Sequence, residues 1–227
     1  MISYFHRRKG NLGTCEDSLT AVVFDTLKYL PSEMFWSILK RSLYYDKLPV
    51  AAGDLLSISF WDKWKAKDNT TNSNFVEPDV FLRFNEFDVI IEAKRHDEKQ
   101  QSGNQMKNEI QAYYNEFALD DKVLYFIQLG GLHHRNDELD YIINDKNVVI
   151  CKTNWTKLLE QIVAENNKIK NSGLTILSAY NRILEDSISG FALHQYYKKR
   201  WLKNLTFKSP IQLQPLDNLF PYATKRK

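Results

Sequence analysis

Three charged residues stand where two apolar segments of the sequence begin and end. Asp79 follows Pro78 just before the run VFLRF, and Glu92 and Lys94 close the run DVIIEAK. Because side chains alternate between the two faces of a β-strand, Glu92 and Lys94 are expected to share one face. A charge that is buried without a partner is very costly. These residues therefore lie at a solvated strand end or carry out chemistry.

The two apolar runs are separated by Asn85 and Glu86, and they predict a β-hairpin. The open end of this hairpin would bring Asp79 close to Glu92 and Lys94. Two carboxylates beside one ammonium suit Mg²⁺, which binds one or two carboxylates and keeps waters or a substrate phosphate in its other positions. The spacing therefore predicts a magnesium site, and we expect that Mn²⁺ can substitute.

Each of these residues also has a simpler interpretation when it is taken singly. Asp79 could end a loop after Pro78, and Glu92 with Lys94 could form an exposed ion pair, which contributes little to stability. The strand context, the spacing and the order of the elements together favour the chemical interpretation.

The elements that must position these residues follow from the apolar periodicity of the chain. The predicted order is two helices, three strands, a helix, two strands and two helices, which indicates an α/β domain with a mixed sheet and helices on its faces. A capping box of Thr14 with Asp17 would open the first helix, and Pro31 would end it. Asn154 would cap the first of the last two helices. The other predicted helices span 32–45, 103–118 and 174–199. The predicted strands span 55–64, 79–84 and 88–94, and two more begin at 123 and at 148.

The charged residues resemble the motif of the PD-(D/E)xK nuclease superfamily, which has the restriction-endonuclease-like fold. Here the motif reads Pro78-Asp79, followed by Glu92-Ala93-Lys94, with Glu92 thirteen positions after Asp79. The element order of residues 14–130 is also similar to the core of that family. The resemblance implies one domain over residues 1–227, with a restriction-endonuclease-like core over about 14–154 and a helical extension over about 155–227.

The resemblance also implies roles for the motif residues. Asp79 and Glu92 would hold Mg²⁺, together with the carbonyl of Ala93. Lys94 would orient or help to deprotonate the attacking water and stabilise the charge on phosphorus. Such a site cleaves phosphodiester bonds by neutralising charge and aligning water, and it needs no protein nucleophile.

Two further residues match positions that the superfamily often uses. Glu16, on the apolar stripe of the first helix, could supply an additional acidic ligand, or it could be a first-turn carboxylate that the helix dipole stabilises. Gln105 could lie near the metal or the scissile phosphate, or it could belong to a solvated helix face. Asp17 is interpreted as the cap partner.

Basic and aromatic residues alternate near the carboxyl terminus, in YYKKRWLKN at 196–204. This pattern would combine phosphate contacts with base stacking. The predicted nucleic-acid contacts are Lys198, Lys199, Arg200, Trp201 and Lys203. His133 and His134 could also contact substrate, although a loop pair of histidines is more often incidental. Trp61 and Trp64 are predicted to be packing residues.

The composition excludes several other classes. The 227 residues are 43% hydrophobic and 26% charged, as in an ordered globular protein. No apolar stretch approaches the roughly 18–20 residues that span a bilayer, so we expect no membrane partner. We expect a cytoplasmic location. Cys15 and Cys151 form neither a disulfide framework nor a metal-binding CxxC pair. Walker, zinc and dinucleotide-binding patterns are missing from the sequence.

These features predict a Mg²⁺-dependent nuclease that prefers DNA over RNA and cleaves internally, in restriction, defence or mobile-element biology. Cutting of both strands would favour a symmetric homodimer. The alternative comes from another class: a domain of the same fold that binds nucleic acid or a partner protein without cutting.

Overall fold

The computed structural model describes residues 13–66, 70, 75–96, 98–143 and 145–198. Within these residues, single 3₁₀ turns at Ala118–Asp120 and Thr175–Leu177 accompany the longer elements. The helices are α1 (Glu16–Leu27), α2 (Ser32–Ser42), α3 (Gly103–Phe117), α4 (Trp155–Ser172) and α5 (Ser178–Leu193). The strands are β1 (Leu55–Phe60), β2 (Trp64–Lys65), β3 (Phe75–Val76), β4 (Val80–Phe84), β5 (Phe87–Ala93), β6 (Val123–Leu129), β7 (Tyr141–Ile143) and β8 (Lys146–Thr153).

A mixed six-stranded sheet lies at the centre, in the order β1-β4-β5-β6-β8-β7. β1, β4 and β5 are antiparallel, whereas β5, β6 and β8 run parallel, and β7 pairs antiparallel with β8. β2 and β3 form a separate pair. Helices flank the sheet, so the predicted α/β class with a mixed central sheet is confirmed. Among the described helices, none combines the length and apolarity needed to cross a bilayer.

β5 is apolar along most of its length because both of its faces are covered. Val89 and Ile91 pack into a core formed with α1, α2, α4 and α5, whereas Ile90 packs into a second core against α3. α3 also supplies the crossover that a parallel pair requires, here between β5 and β6. The chain around β5 is thereby fixed from both sides.

The predicted hairpin of β4 and β5 is confirmed, with Val80 opposite Ile91. Several predicted bounds were wrong. The helix predicted at 32–45 ends at Ser42, and the one predicted at 174–199 spans Ser178–Leu193. The strand predicted at 55–64 stops at Phe60 because Trp61 takes a positive φ of 52°. β2, β3 and β7 were not predicted, since two or three residues are too short to show a period.

The predicted start of α1 was wrong by one residue. Cys15, not Thr14, is the N-cap, and its N–H donates to the hydroxyl of Ser18 at 3.2 Å. Ser18 therefore takes the capping-box position that was assigned to Asp17. The helix ends at Leu27, and Pro31 instead precedes α2.

The helices that were predicted as an extension belong to the main core. Asn154 caps α4 as predicted, because its side-chain oxygen accepts the N–H of Lys157 at 2.8 Å. Trp155 of α4 and Phe191 of α5 are buried in the same core as α1 and the sheet. α5 packs against both α1 and α4. These helices therefore complete one face of the sheet.

A buried ionic network fastens the amino-terminal end of β5. Asp88 is buried and accepts a hydrogen bond from the Tyr113 hydroxyl at 3.1 Å. Its carboxylate also lies 3.3 Å from the Arg83 guanidinium and 3.4 Å from the Lys122 ammonium. This network joins β4, β5 and α3 to the residue just before β6.

We expect Asp88→Asn to lower the free energy of unfolding by about 2 kcal/mol, because the surrounding donors lose their charged acceptor. Urea denaturation measures this. Asp46→Asn is the matched control, since Asp46 pairs with Lys40 but is 73% exposed, and it should cost less than about 1 kcal/mol. Equal losses in the two variants would contradict the structural role of Asp88.

Candidate metal centre

The open end of the β4–β5 hairpin holds the Asp79 carboxylate in place. One oxygen accepts the backbone N–H of Ala93 at 2.8 Å, and the other accepts the indole N–H of Trp61 at 3.2 Å. Asp79 is 8% exposed. The role of Trp61 was missed, because its sequence position indicated packing only.

Lys94 joins the end of β5 to the first turn of α1. Its ammonium contacts Oε1 of Glu92 and lies 3.4 Å from Oε1 of Glu16. The other oxygen of Glu16 accepts the backbone N–H of Arg95 at 2.8 Å. Glu16 therefore faces this cluster and is more than a first-turn carboxylate.

α3 contributes a polar contact from the opposite side. The side-chain amide of Gln105 donates to Oε1 of Glu92 at 2.6 Å. This oxygen therefore receives both Gln105 and Lys94. The predicted residues that the structure brings together are Glu16, Asp79, Glu92, Lys94 and Gln105, with the Ala93 backbone beside them.

Among the described residues, Glu16, Asp17 and Asp79 form a group whose carboxylate oxygens lie within 4.8 Å of one another. Oxygen atoms at this spacing can serve as ligands of a hard divalent cation. Asp17 was missed as a site residue, because the one-residue error at the helix start made it a cap partner. Glu92, a predicted ligand, lies next to this group but is not a member of it.

Burial and crowding change the ionisation of these groups. Burial, followed by the charge of Glu92, raises the pKa of Asp79 from 3.8 to about 8. Burial also raises the pKa of Glu92, although Lys94 opposes this shift. Burial alone would lower the pKa of Lys94, but the carboxylates of Glu92 and Glu16 outweigh it and raise this pKa to about 12. Lys94 is therefore a cation at neutral pH.

Glu109 of α3 adds a further buried carboxyl group that sequence reasoning did not assign to the site. It is fully buried, and burial together with the charge of Glu92 raises its pKa well above the usual range. Among the described residues, neither oxygen of Glu109 nor Oε2 of Glu92 has a hydrogen-bond partner. A proton on Glu109 would allow it to donate to Glu92.

The residues present fit a divalent cation. Glu16, Asp17 and Asp79 offer three carboxylate oxygens close together, here called the three-oxygen group, and buried carboxylate oxygens without partners lie nearby. A divalent cation would neutralise this excess of carboxylate groups. Glu16, Asp17 and Asp79 would hold the ion, with Glu92 close enough to join by a side-chain movement. The proposed ligand role of the Ala93 carbonyl stays a prediction.

The backbone of Lys94 is held in place by Trp155 and by the Gly130–Gly131 pair, which are distant from it in the sequence. The indole N–H of Trp155 donates to the Lys94 carbonyl at 2.8 Å. Gly130 and Gly131 have φ values of 74° and 63°, and a Cβ on Gly130 would lie only 2.4 Å from that carbonyl oxygen. The Gly-Gly pair directly after an apolar strand was the available signal.

The predicted nucleic-acid contacts are described only in part. The Tyr196 hydroxyl donates to the carbonyl of Arg95 at 2.6 Å, so this segment is fastened beside the acidic group. Lys198 follows and is exposed. Lys199, Arg200, Trp201 and Lys203 lie outside the described residues.

The fold and the site define an α/β protein with an acidic centre at the carboxyl end of its central strand. Over 212 residues the chain is 32% identical to "Uncharacterized protein PM0110" of Pasteurella multocida (strain Pm70), covering 86% of this chain and 76% of that protein. The chain belongs to the same family as that protein. No family model matches the chain, and no solved structure matches it.

We expect Gly130→Ala to destabilise the protein more than Gly53→Ala. Both glycines have a positive φ, and a non-glycine residue there costs about 1–2 kcal/mol. Only Gly130 would also bring a Cβ against the Lys94 carbonyl, which adds about 1–3 kcal/mol. Chemical denaturation compares the two variants, and equal losses would show that the contact with Lys94 is unimportant.

The raised pKa of Asp79 predicts a pH-dependent stability in EDTA. The contribution of Asp79 is fully present below its unfolded pKa of 3.8 and is lost as the pH rises through about 8. The free energy of unfolding should therefore fall between about pH 5 and about pH 8, and Asp79→Asn should flatten this slope. Mg²⁺ should stabilise the protein more at the upper pH, because it binds the ionised carboxylates.

Asp25→Asn is the control for this pH series, because Asp25 lies on α1 and is 55% exposed. It should leave the slope and the effect of Mg²⁺ unchanged. A stability in EDTA that rises over the same pH range would contradict the assigned electrostatics.

Proposed function

We propose that the protein is a Mg²⁺-dependent nuclease of the PD-(D/E)xK superfamily, with a restriction-endonuclease-like core. The observation that carries the proposal is the meeting of the Glu16, Asp17 and Asp79 carboxylates with the Lys94 ammonium at one strand end. The β4–β5 hairpin and the parallel β6 support the same fold assignment. We place its action on DNA, as an endonuclease in cytoplasmic restriction, defence or mobile-element biology.

The residues of the chain divide the work of phosphodiester hydrolysis. A bound Mg²⁺ would neutralise phosphate charge and increase the acidity of water. Asp79 is held for ion binding by the Ala93 N–H and the Trp61 indole. Lys94 is protonated, so it stabilises negative charge that develops on the phosphate and orients water. Its role as a base, which the sequence left open, has no support in this geometry.

DNA binding would draw on the segment after Tyr196. The Tyr196–Arg95 hydrogen bond brings the exposed Lys198 into the neighbourhood of the acidic group. The sequence continues with Lys199, Arg200 and Trp201, whose charge and ring suit contacts to phosphates and bases. Double-strand cleavage would use two copies of the chain related by symmetry.

The test of activity incubates purified protein with circular and linear duplex DNA, single-stranded DNA and RNA in Mg²⁺, Mn²⁺ or EDTA. We expect cutting of circular DNA in the presence of either metal ion and none in EDTA. Lys94→Met removes a charge that acts on the reacting phosphate and should reduce the rate by about 10²–10³-fold. Asp79→Asn and Asp17→Asn should reduce it because each replaces a negatively charged carboxylate ligand with a neutral amide.

The controls use the same substitutions away from the site. Asp25→Asn lies on the same helix as Asp17, and Lys146→Met lies at the far end of β8. Both should keep wild-type rates, and circular dichroism verifies that each variant is folded. Cutting that persists in EDTA or in Asp79→Asn would overturn the proposed mechanism.

One observation favours a second function, in which the domain binds nucleic acid or a partner without cutting. Glu92 is 2% exposed, its Oε1 is occupied by Lys94 and Gln105, and it is not a member of the group formed by Glu16, Asp17 and Asp79. If this arrangement persists when substrate binds, the centre would lack one ligand. DNA binding with no cutting in Mg²⁺ or Mn²⁺ would establish the binding function in place of the nuclease.

A further inference from the structure

A row of polar residues crosses the sheet beside the metal centre. Glu92 of β5 pairs in register with Gln128 of β6, and Gln128 pairs with Lys152 of β8. Because adjacent strands lie about 4.8 Å apart, Lys152 lies about 10 Å from Glu92 along this row. Ligands of open α/β sheets bind at the carboxyl ends of the parallel strands, which is where this row lies.

Lys152 places a positive charge in a buried position. Its residue is 5% exposed, and its ammonium lies 3.3 Å from Nδ1 of His134 and 2.5 Å from a carboxylate oxygen of Glu138. An ammonium can only donate, so Nδ1 of His134 accepts and the ring proton lies on Nε2. The ammonium also donates to the backbone carbonyl of Asn136 at 3.3 Å, so an incoming anion would replace one of its three acceptors beside the imidazole N–H.

These side chains line a cavity of about 100 Å³, which also includes Gly103 at the start of α3. That volume is the share of about three waters in the liquid, and it accommodates one tetrahedral anion in place of them. The amide of Gln128 reaches the thioether of Met106 at 3.8 Å. Since a thioether is a weak acceptor, this amide can donate to a ligand at little cost.

The cavity is physically connected to the metal centre through Gln101. The ring Nε2 of His133 bonds the carbonyl of Gln101 at 2.8 Å, and the Gln101 side-chain amide donates to the carbonyl of Glu92 at 3.0 Å. The position of a ligand in the cavity would thus be fixed relative to the backbone of Glu92 by these hydrogen bonds. Gln101 also donates to the carbonyl of Gly130 at 3.1 Å, which fixes the loop that carries the histidines.

The chemistry of the cluster favours an anion over a metal ion. Ammonium, amide and imidazole N–H groups are donors, and the start of a helix adds partial positive charge. Among the described residues, the group of three metal-ligating side chains that lie close together is Glu16, Asp17 and Asp79, which does not include the histidines. Glu138 is the acidic member of the cavity, and it would compete with an incoming anion for Lys152.

We infer that this cavity is a subsite for a backbone phosphate of the nucleic acid, a few nucleotides at most from the phosphate that is cleaved. The inference rests on the proposed nuclease function and names a contact that its substrate makes. A strand lying along the row would place the scissile phosphate at Asp79 and Lys94 and a flanking phosphate at Lys152 and His134. Lys152 is then a positioning residue, because it does not touch the reacting atoms.

The first experiment detects the anion directly and needs no catalysis. The chain has five histidines, so a carbon-labelled imidazole NMR spectrum is simple to follow during a titration with inorganic phosphate against chloride at equal ionic strength. We expect saturable shifts of His133 and His134 and little change at His194, which is buried and bonded to Ser18 and Gly190. His134→Asn assigns the signals and should weaken the binding.

Three substitutions test the individual groups. Lys152→Gln should abolish the saturable shifts, and Glu138→Gln should strengthen phosphate binding because the competing carboxylate is removed. Lys146→Gln is the control, since it lies on the same strand at the opposite end and pairs with Asp121. If Lys152→Gln is unstable, His134→Asn and Glu138→Gln, both at more exposed positions, decide the question.

The second experiment measures DNA binding in EDTA and cleavage in Mg²⁺. Lys152→Gln should lower the slope of log affinity against log salt by about one. It should raise KM while leaving kcat near the wild-type value. Absence of histidine shifts with an unchanged salt slope would overturn the subsite, even if the protein cuts DNA. Histidine shifts and a changed slope in a protein that never cuts would support the subsite and reject the nuclease.

Discussion

Buried acidic groups outnumber basic groups at the end of β5, and the surrounding structure depends on how their charge is neutralised. Asp79, Glu92 and Glu109 are all buried, while the ammonium of Lys94 contacts Glu92 and Glu16. Burial of ionised carboxylates without partners is costly, so protonation or a cation must relieve it. These groups meet because α1 and α3 both begin at the open end of the β4–β5 hairpin.

The position of Lys94 is determined by backbone contacts more than by its own side chain. Its N–H donates to the carbonyl of Leu129 at 2.8 Å, and its carbonyl accepts the Trp155 indole. Gly130 and Gly131 leave room for this close approach. β6 and α4 therefore support the residue that directly follows β5, which makes α4 part of the site's construction.

The sequence predicted the hairpin and its charged ends because two runs of apolar β-formers and Pro78 mark the strand limits clearly. It did not predict Asp17, since a one-residue error at the helix cap exchanged the roles of Asp17 and Ser18. Glu109 was not recognisable either, because a glutamate beside an apolar stripe is normally solvated, and only tertiary contacts show that this one is buried. The hydrogen bond from Trp61 depends on a positive φ that residue type does not indicate.

The parallel strands show why polar side chains concentrate at one layer of the sheet. Ile90, Phe126 and Ile150 stand in register and pack into one core. Two residues later on the same face, the next layer consists of Glu92, Gln128 and Lys152. A step of two residues along each strand thus replaces an apolar layer with an acid, an amide and a cation, while the strand pairing continues unchanged. Because α3 covers the apolar layer and begins beside the polar one, the packing that stabilises the sheet also keeps these three groups aligned at fixed spacing.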